Sequence, residues 1–195
     1  MKPVEFKDGV VVLLDQTLLP TEVKYIECRD VETLAEAIES LRVRGAPAIG
    51  VTAAFGLASI AVQNSHSSRE EILELLRNGK ERLAATRPTA VNLFWALNKV
   101  MEAAENSENP AEAVLKEALR IYDENLESDK KIGENGAEVF EDGDIVITHC
   151  NAGSLATAGI GTALGVIKTA AKKGKKLEVF ADETRPLLQG ARLTA

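Results

Sequence analysis

The sequence predicts an α/β chain: a small N-terminal β element, a helical body, and a parallel-sheet domain that is incomplete. Three observations predict it. Short apolar or alternating runs near the N-terminus, VVVLL at 10–14 and EVKYIEC at 22–28, read as strands. From Asp30 to about Phe140, apolar residues recur at spacing three and four, the helical period. After Glu141-Asp-Gly-Asp a strand, a helix and a second strand follow, which is a parallel pair with a right-handed crossover. These readings place the domains at 1–141 and 142–195.

Each element has its own warrant. Asp8-Gly9 is a turn signal ahead of Val10–Leu14, so the start reads as a hairpin or short meander. Asp30 or Thr33 can cap a helix running through Leu34, Ala37, Ile38 and Leu41. Pro47 suits a first helical position, and Ala48, Gly50, Ala53, Ala54 and Gly56 let that helix pack closely. Three amphipathic helices follow at about Ser68–Ala84, Thr89–Ala104 and Pro110–Phe140, the last open to interruption near Gly133–Gly136. Phe94 and Trp95 are expected in the core. Ile145–Thr148 reads as a buried strand, and Ser154 as the cap of a helix from about Leu155 to Lys173 that Gly174 ends. Lys176–Ala181 is the second strand, and Leu187–Leu193 begins another helix. Two parallel strands do not make a domain, because parallel sheets are covered on both faces. The chain is therefore expected to stop inside its second domain.

Composition narrows the function. With 23 basic and 30 acidic residues the net charge is −7. There is no basic footprint, which argues against a nucleic-acid partner. An anion can bind only at a local site, because the overall field repels it. Cys28, Cys150, His66 and His149 lack metal-ligand spacing, so neither a structural metal nor a disulfide framework is expected. The N-terminus has no signal-peptide pattern, and no apolar stretch reads as long enough to span a bilayer. The expected address is the cytoplasm, with no membrane partner.

Three segments carry chemistry. In Val43-Arg44-Gly45-Ala46-Pro47 an arginine sits just before a helix start, where guanidinium, backbone N–H groups and helix dipole can clamp an anion together. A plain helix start with a surface arginine is an equal reading of that segment alone. Thr86-Arg87-Pro88-Thr89 repeats the arrangement, with Thr86 as cap; alone it favours an ordinary capped helix. Two arginines at two helix starts strengthen the anion reading. In Thr148-His149-Cys150-Asn151, the cysteine lies at the carboxyl end of a parallel strand, where open α/β sheets bind ligands. A thiol near a helix N-terminus is a better nucleophile or base, although a lone cysteine is usually inert packing. His149 is its neighbour and would point to the opposite face, so no Cys–His pair is implied. Gly159-Ile160-Gly161 with Gly165 and Asp182 raises a dinucleotide site. The spacing is wrong for one, and these glycines read as close packing inside the helix.

Together VRGAPAIG (43–50), RPTAVNL (87–93), THCNAGSLAT (148–157) and DETRPLLQGARLTA (182–195) resemble the methylthioribose-1-phosphate isomerase family. That family shares a superfamily with the regulatory subunits of eukaryotic translation initiation factor 2B. The resemblance runs from about residue 10 to the last residue. It implies a Rossmann-like second domain, a homodimer, and no metal or nucleotide cofactor. It implies conversion of a sugar phosphate, 5-methylthioribose 1-phosphate, to the ketose 5-methylthioribulose 1-phosphate in methionine salvage. By motif, Cys150 matches the catalytic cysteine. Arg44, Gly45, Ala46 and Arg87 match substrate- and phosphate-contacting positions, and Gln189 a substrate-binding glutamine. The family's catalytic aspartate and a following Asn-Lys contact match nothing in these residues, and Asp182 is not their counterpart. The 195-residue chain alone is therefore expected to be inactive. Ribose-1,5-bisphosphate isomerase and a non-catalytic factor subunit are the competing readings. RGAPAIG and RPTAVNL disfavour the first, and Cys150 in THCNAG the second.

Overall fold

The computed structural model describes residues 1–195. Strands β1 (Val4–Lys7), β2 (Val10–Leu14) and β3 (Tyr25–Cys28) form an antiparallel meander in that order. Asp8 and Gly9 both have positive φ, 50° and 79°, as a two-residue hairpin turn between right-twisted strands requires. The sequence reading missed β1, because Val-Glu-Phe-Lys carries two charges in four residues. Its pairing with β2, Val4 opposite Leu13, makes it a strand.

The helical body follows. Helix α1 (Val31–Glu39) starts at Asp30, whose carboxylate accepts the Thr33 N–H at 2.8 Å. Helix α2 (Ala46–Gln63) is the centre: it packs on α1, α3 (Arg69–Ala84), α4 (Val91–Glu105), α5 (Pro110–Ala137) and the meander. Thirteen of its residues are buried, so it has no polar face to place in water. This corrects one expectation. By length and composition α2 could cross a bilayer, with mean hydropathy 1.5 over 18 residues, but 72% of it is buried inside this molecule. It is a core helix. The core cluster holds 33 buried residues, and only Ala158 comes from beyond Ile121.

Helix α5 runs unbroken through Gly133 and Gly136. A Cβ at these positions would lie 2.7 Å from Thr169 Oγ1 and 2.6 Å from Val166 Cγ2. The glycines are gaps that admit the next helix, not breaks. Trp95 is also not core, being 44% exposed on the outer side of α4.

The last third is β4 (Ile145–Thr148), α6 (Ala163–Lys172) and β5 (Glu178–Ala181), with β4 and β5 parallel and Ile145 opposite Glu178. Helix α6 packs on α5. It starts at Ala163, not at Leu155, so Ser154 caps nothing, and residues 149–162 form a long loop. The C-terminal segment is a π-helical turn, Gly190–Thr194, in place of the α-helix expected over Leu187–Leu193.

Candidate active site

The loop after β4 carries Cys150. Its first residue with an unusual backbone is Cys150, at φ 62°, a left-handed conformation that a non-glycine residue rarely holds. The turn aims the thiol at the start of α2. Arg44 Nη2 lies 3.2 Å from Cys150 Sγ. Gln189, beside the π-helical turn, puts Oε1 3.0 Å from the same sulfur and also accepts from Arg44. Arg44 Nη1 donates to the Asn151 carbonyl at 2.8 Å. Thus three residues that the sequence placed at 44, 150 and 189 meet at one point.

Arg44 is a buried cation, 8% exposed. Arg29, Arg42, Arg77, Arg82, Arg120 and Arg185 each hold a carboxylate; Arg44 holds none. Burial pulls its basicity below the usual guanidinium value, a negative charge on Cys150 would oppose that, and Arg87 pulls it further down. Arg87 is itself partly buried. The positive neighbour of the thiol is Arg44. The helix N-terminus expected to play that part lies at Ala163.

Gly45 and Ala46 follow Arg44 at the start of α2. Gly45 has φ 97° and caps α2. A Cβ there would lie 2.5 Å from the Ala156 carbonyl oxygen. That carbonyl takes the Ala48 N–H at 3.1 Å, so the loop docks on the first turn of α2. The N–H groups of Gly45 and Ala46 donate to no backbone acceptor and are free for a ligand. Thr86 does not cap α4; its hydroxyl donates to the Leu83 carbonyl at 2.6 Å, and Arg87 follows in the turn between α3 and α4.

His149 points away, as expected, and pairs with Asp182 at 3.0 Å on the exposed edge of the two strands. Sequence reasoning missed two residues here. Thr194 donates to the Cys150 carbonyl at 2.6 Å and accepts from Asn151 Nδ2 at 3.0 Å. Arg192 donates to the carbonyls of Gln16 and Leu19, tying the C-terminal turn to the loop after β2. No local pattern signals such contacts, which span more than 40 residues. No three His, Cys, Asp or Glu side chains cluster in a way that could hold a metal ion. A cleft of about 410 Å³ between α1, α2 and α3 is unrelated, being lined by buried Cys28 and the ion-paired Arg82.

The match to known proteins extends to the whole site. The profile of the initiation factor 2 subunit family matches residues 42–195, from Arg42 to the last residue. The chain belongs to that family. Within it, the chain is 50% identical over its full length to the methylthioribose-1-phosphate isomerase of Desulforamulus reducens, and 51% identical to that of Thermotoga neapolitana. It spans 58% and 57% of those two proteins. Among solved family structures, 5-methylthioribose 1-phosphate isomerase from Pyrococcus horikoshii superposes with TM-score 0.91 at 45% identity. The translation initiation factor eIF-2B subunit delta from A. fulgidus superposes with TM-score 0.89 at 47%. Each match covers all of this chain, and 56% and 58% of the respective structures.

Proposed function

We propose that this chain carries the phosphate clamp and the thiol of an aldose–ketose isomerase that converts 5-methylthioribose 1-phosphate to 5-methylthioribulose 1-phosphate. The observation that carries the reading is the buried, acid-free Arg44 guanidinium against the Cys150 thiol and Gln189. The identity to enzymes of that name supports it.

In this reading the substrate phosphate sits between Arg44, Arg87 and the free N–H groups of Gly45 and Ala46. Gln189 hydrogen-bonds a sugar hydroxyl. A sugar phosphorylated at C1 cannot open to a free aldehyde unaided, so the reaction needs an acid at the ring oxygen and a hydrogen carrier near C1 and C2. Cys150 assists the transfer of hydrogen from C2 to C1, with the Arg44 guanidinium 3.2 Å from its sulfur. Asp182 is engaged with His149 and is not the ring-opening acid. The protein works in the cytoplasm in methionine salvage, as a homodimer, without metal or nucleotide.

Phosphorus NMR of the complete gene product with methylthioribose 1-phosphate and with ribose 1,5-bisphosphate tests the reading. Conversion of the first, abolished by Cys150→Ala, is the expected result. Conversion of the bisphosphate alone would transfer the site to that sister reaction. A second reading, a non-catalytic translation-factor subunit, draws on the likeness to the A. fulgidus protein of that name. Conversion of neither sugar would favour it.

A further inference from the structure

The glycines at 159 and 161 are not inside a helix. They lie in the strand-to-helix loop, next to a buried carboxylate from another part of the fold. Asp129, on α5, is 1% exposed. Its Oδ2 accepts the Thr157 hydroxyl at 2.5 Å and the Gly161 N–H at 3.0 Å. One turn earlier on the same helix, Asn125 Oδ1 accepts the Ala158 N–H at 2.7 Å. A Cβ on Gly159 would lie 2.8 Å from Asp129 Oδ2, and Gly161 has φ 93°. The glycines admit the carboxylate. In a glycine-rich turn that binds a nucleotide, backbone N–H groups are left for a phosphate. Here the protein's own anion takes the Gly161 N–H, which closes the turn to a dinucleotide.

From that anchor a continuous run of contacts reaches the thiol. Gly161 bridges Gly153. Gly153 N–H donates to Asn151 Oδ1 at 3.4 Å, and Asn151 offers its carbonyl to Arg44. The Ala152 carbonyl accepts the N–H groups of Thr162 and Leu164, fixing the start of α6 to the same loop.

We propose that Asp129 is a positioning residue: by holding Thr157 and Gly161 it presets the 150–161 loop so that Cys150 meets Arg44. Its kinetic consequence rests on the isomerase reading above, whereas its effect on the thiol does not. The clamp groups Arg44 and Arg87 stand on the helical body, so loss of Asp129 acts on the thiol and not on phosphate capture.

The test uses the complete gene product with Asp129→Ala and Asp129→Asn. The amide of the second variant keeps an oxygen that can accept both donors. The expected result for Asp129→Ala is a fall in kcat of about tenfold or more with KM nearly unchanged, since a misplaced group costs rate before it costs binding. The rate of Cys150 alkylation by iodoacetamide should shift several-fold in the same variant. Asp129→Asn should restore most of both. Should Asp129→Ala fail to fold, Thr157→Val removes one of the two donors and is read the same way. A folded Asp129→Ala with parental kcat and parental alkylation rate overturns the proposal. So does a parallel loss of kcat and KM with newly reactive Cys28, which marks general loosening. If the parent isomerises nothing, the isomerase reading falls and the alkylation arm alone decides on Asp129.

Discussion

Phe55 of α2 is 1% exposed, stacked on Phe6 at 5.2 Å and tilted against Tyr122 at 5.6 Å, whereas Ile147 of β4 is 71% exposed. Both are large apolar residues in the middle of regular elements. The helical body buries its apolar residues against one another. The β4–α6–β5 unit exposes Ile145, Ile147, Val179 and Phe180 and rests on α5 through α6. Yet the thiol belongs to the weaker region. The contrast teaches that the loop bearing Cys150 is held by contacts from outside the two strands: Arg44, the first turn of α2 and Asp129 on the helical side, and Gln189 and Thr194 after β5.

The sharpest way to break the comparison is a paired truncation. Phe55→Ala should cost about 3–5 kcal/mol in urea unfolding, and Ile147→Ala should stay within about 0.5 kcal/mol. Equal losses would mean that both regions share one core. Next in size is Gly45→Ala. The positive φ and the clash with Ala156 force the docked loop off α2. Turnover should fall about 100-fold, while helical circular dichroism keeps its parental spectrum.

A smaller effect lies at the seam after β2. Burial would raise the Asp15 carboxyl, but hydrogen bonds from Thr17 and Arg42 outweigh it and hold the group below the usual carboxylate range. A group depressed on folding stabilises the native state above its unfolded pKa, near 3.9, and loses that contribution as pH falls through the folded value. Asp15→Asn should therefore cost about 1–3 kcal/mol at neutral pH. The gap to the parent should close on acidification below about pH 4. A gap independent of pH would exclude the charge as its source. The smallest test separates the two thiols. Cys28 is buried and pushed up to about 11, so at neutral pH alkylation should label Cys150 alone and Cys150→Ser should abolish the label.

Most of the body was legible, because amphipathic spacing and a local cap such as Asp30 act within one turn. Arg44, Gly45, Cys150 and Gln189 were legible by motif. The loop was not. Ser154 resembles an N-cap in sequence, but the Ala158 and Gly161 N–H groups and the Thr157 hydroxyl are met by Asn125 and Asp129, far back in the chain. A reading confined to neighbours assigns such a segment to a helix. The glycines at 133 and 136 misled for the same reason, since the helix that fills their gaps comes later in the sequence.

The apolar all-round character of α2 has a consequence on the ribosome. Its residues end at Gln63, while the last residue of α5, its main cover, is Ala137. At ordinary synthesis rates that interval takes about 4 to 15 s. During it the nascent α2 has the meander and α1 beside it, and gains α3 and α4 in turn, but lacks α5. The apolar surface of α2 is therefore least covered during the wait for α4 and α5, before Cys150 has been synthesised.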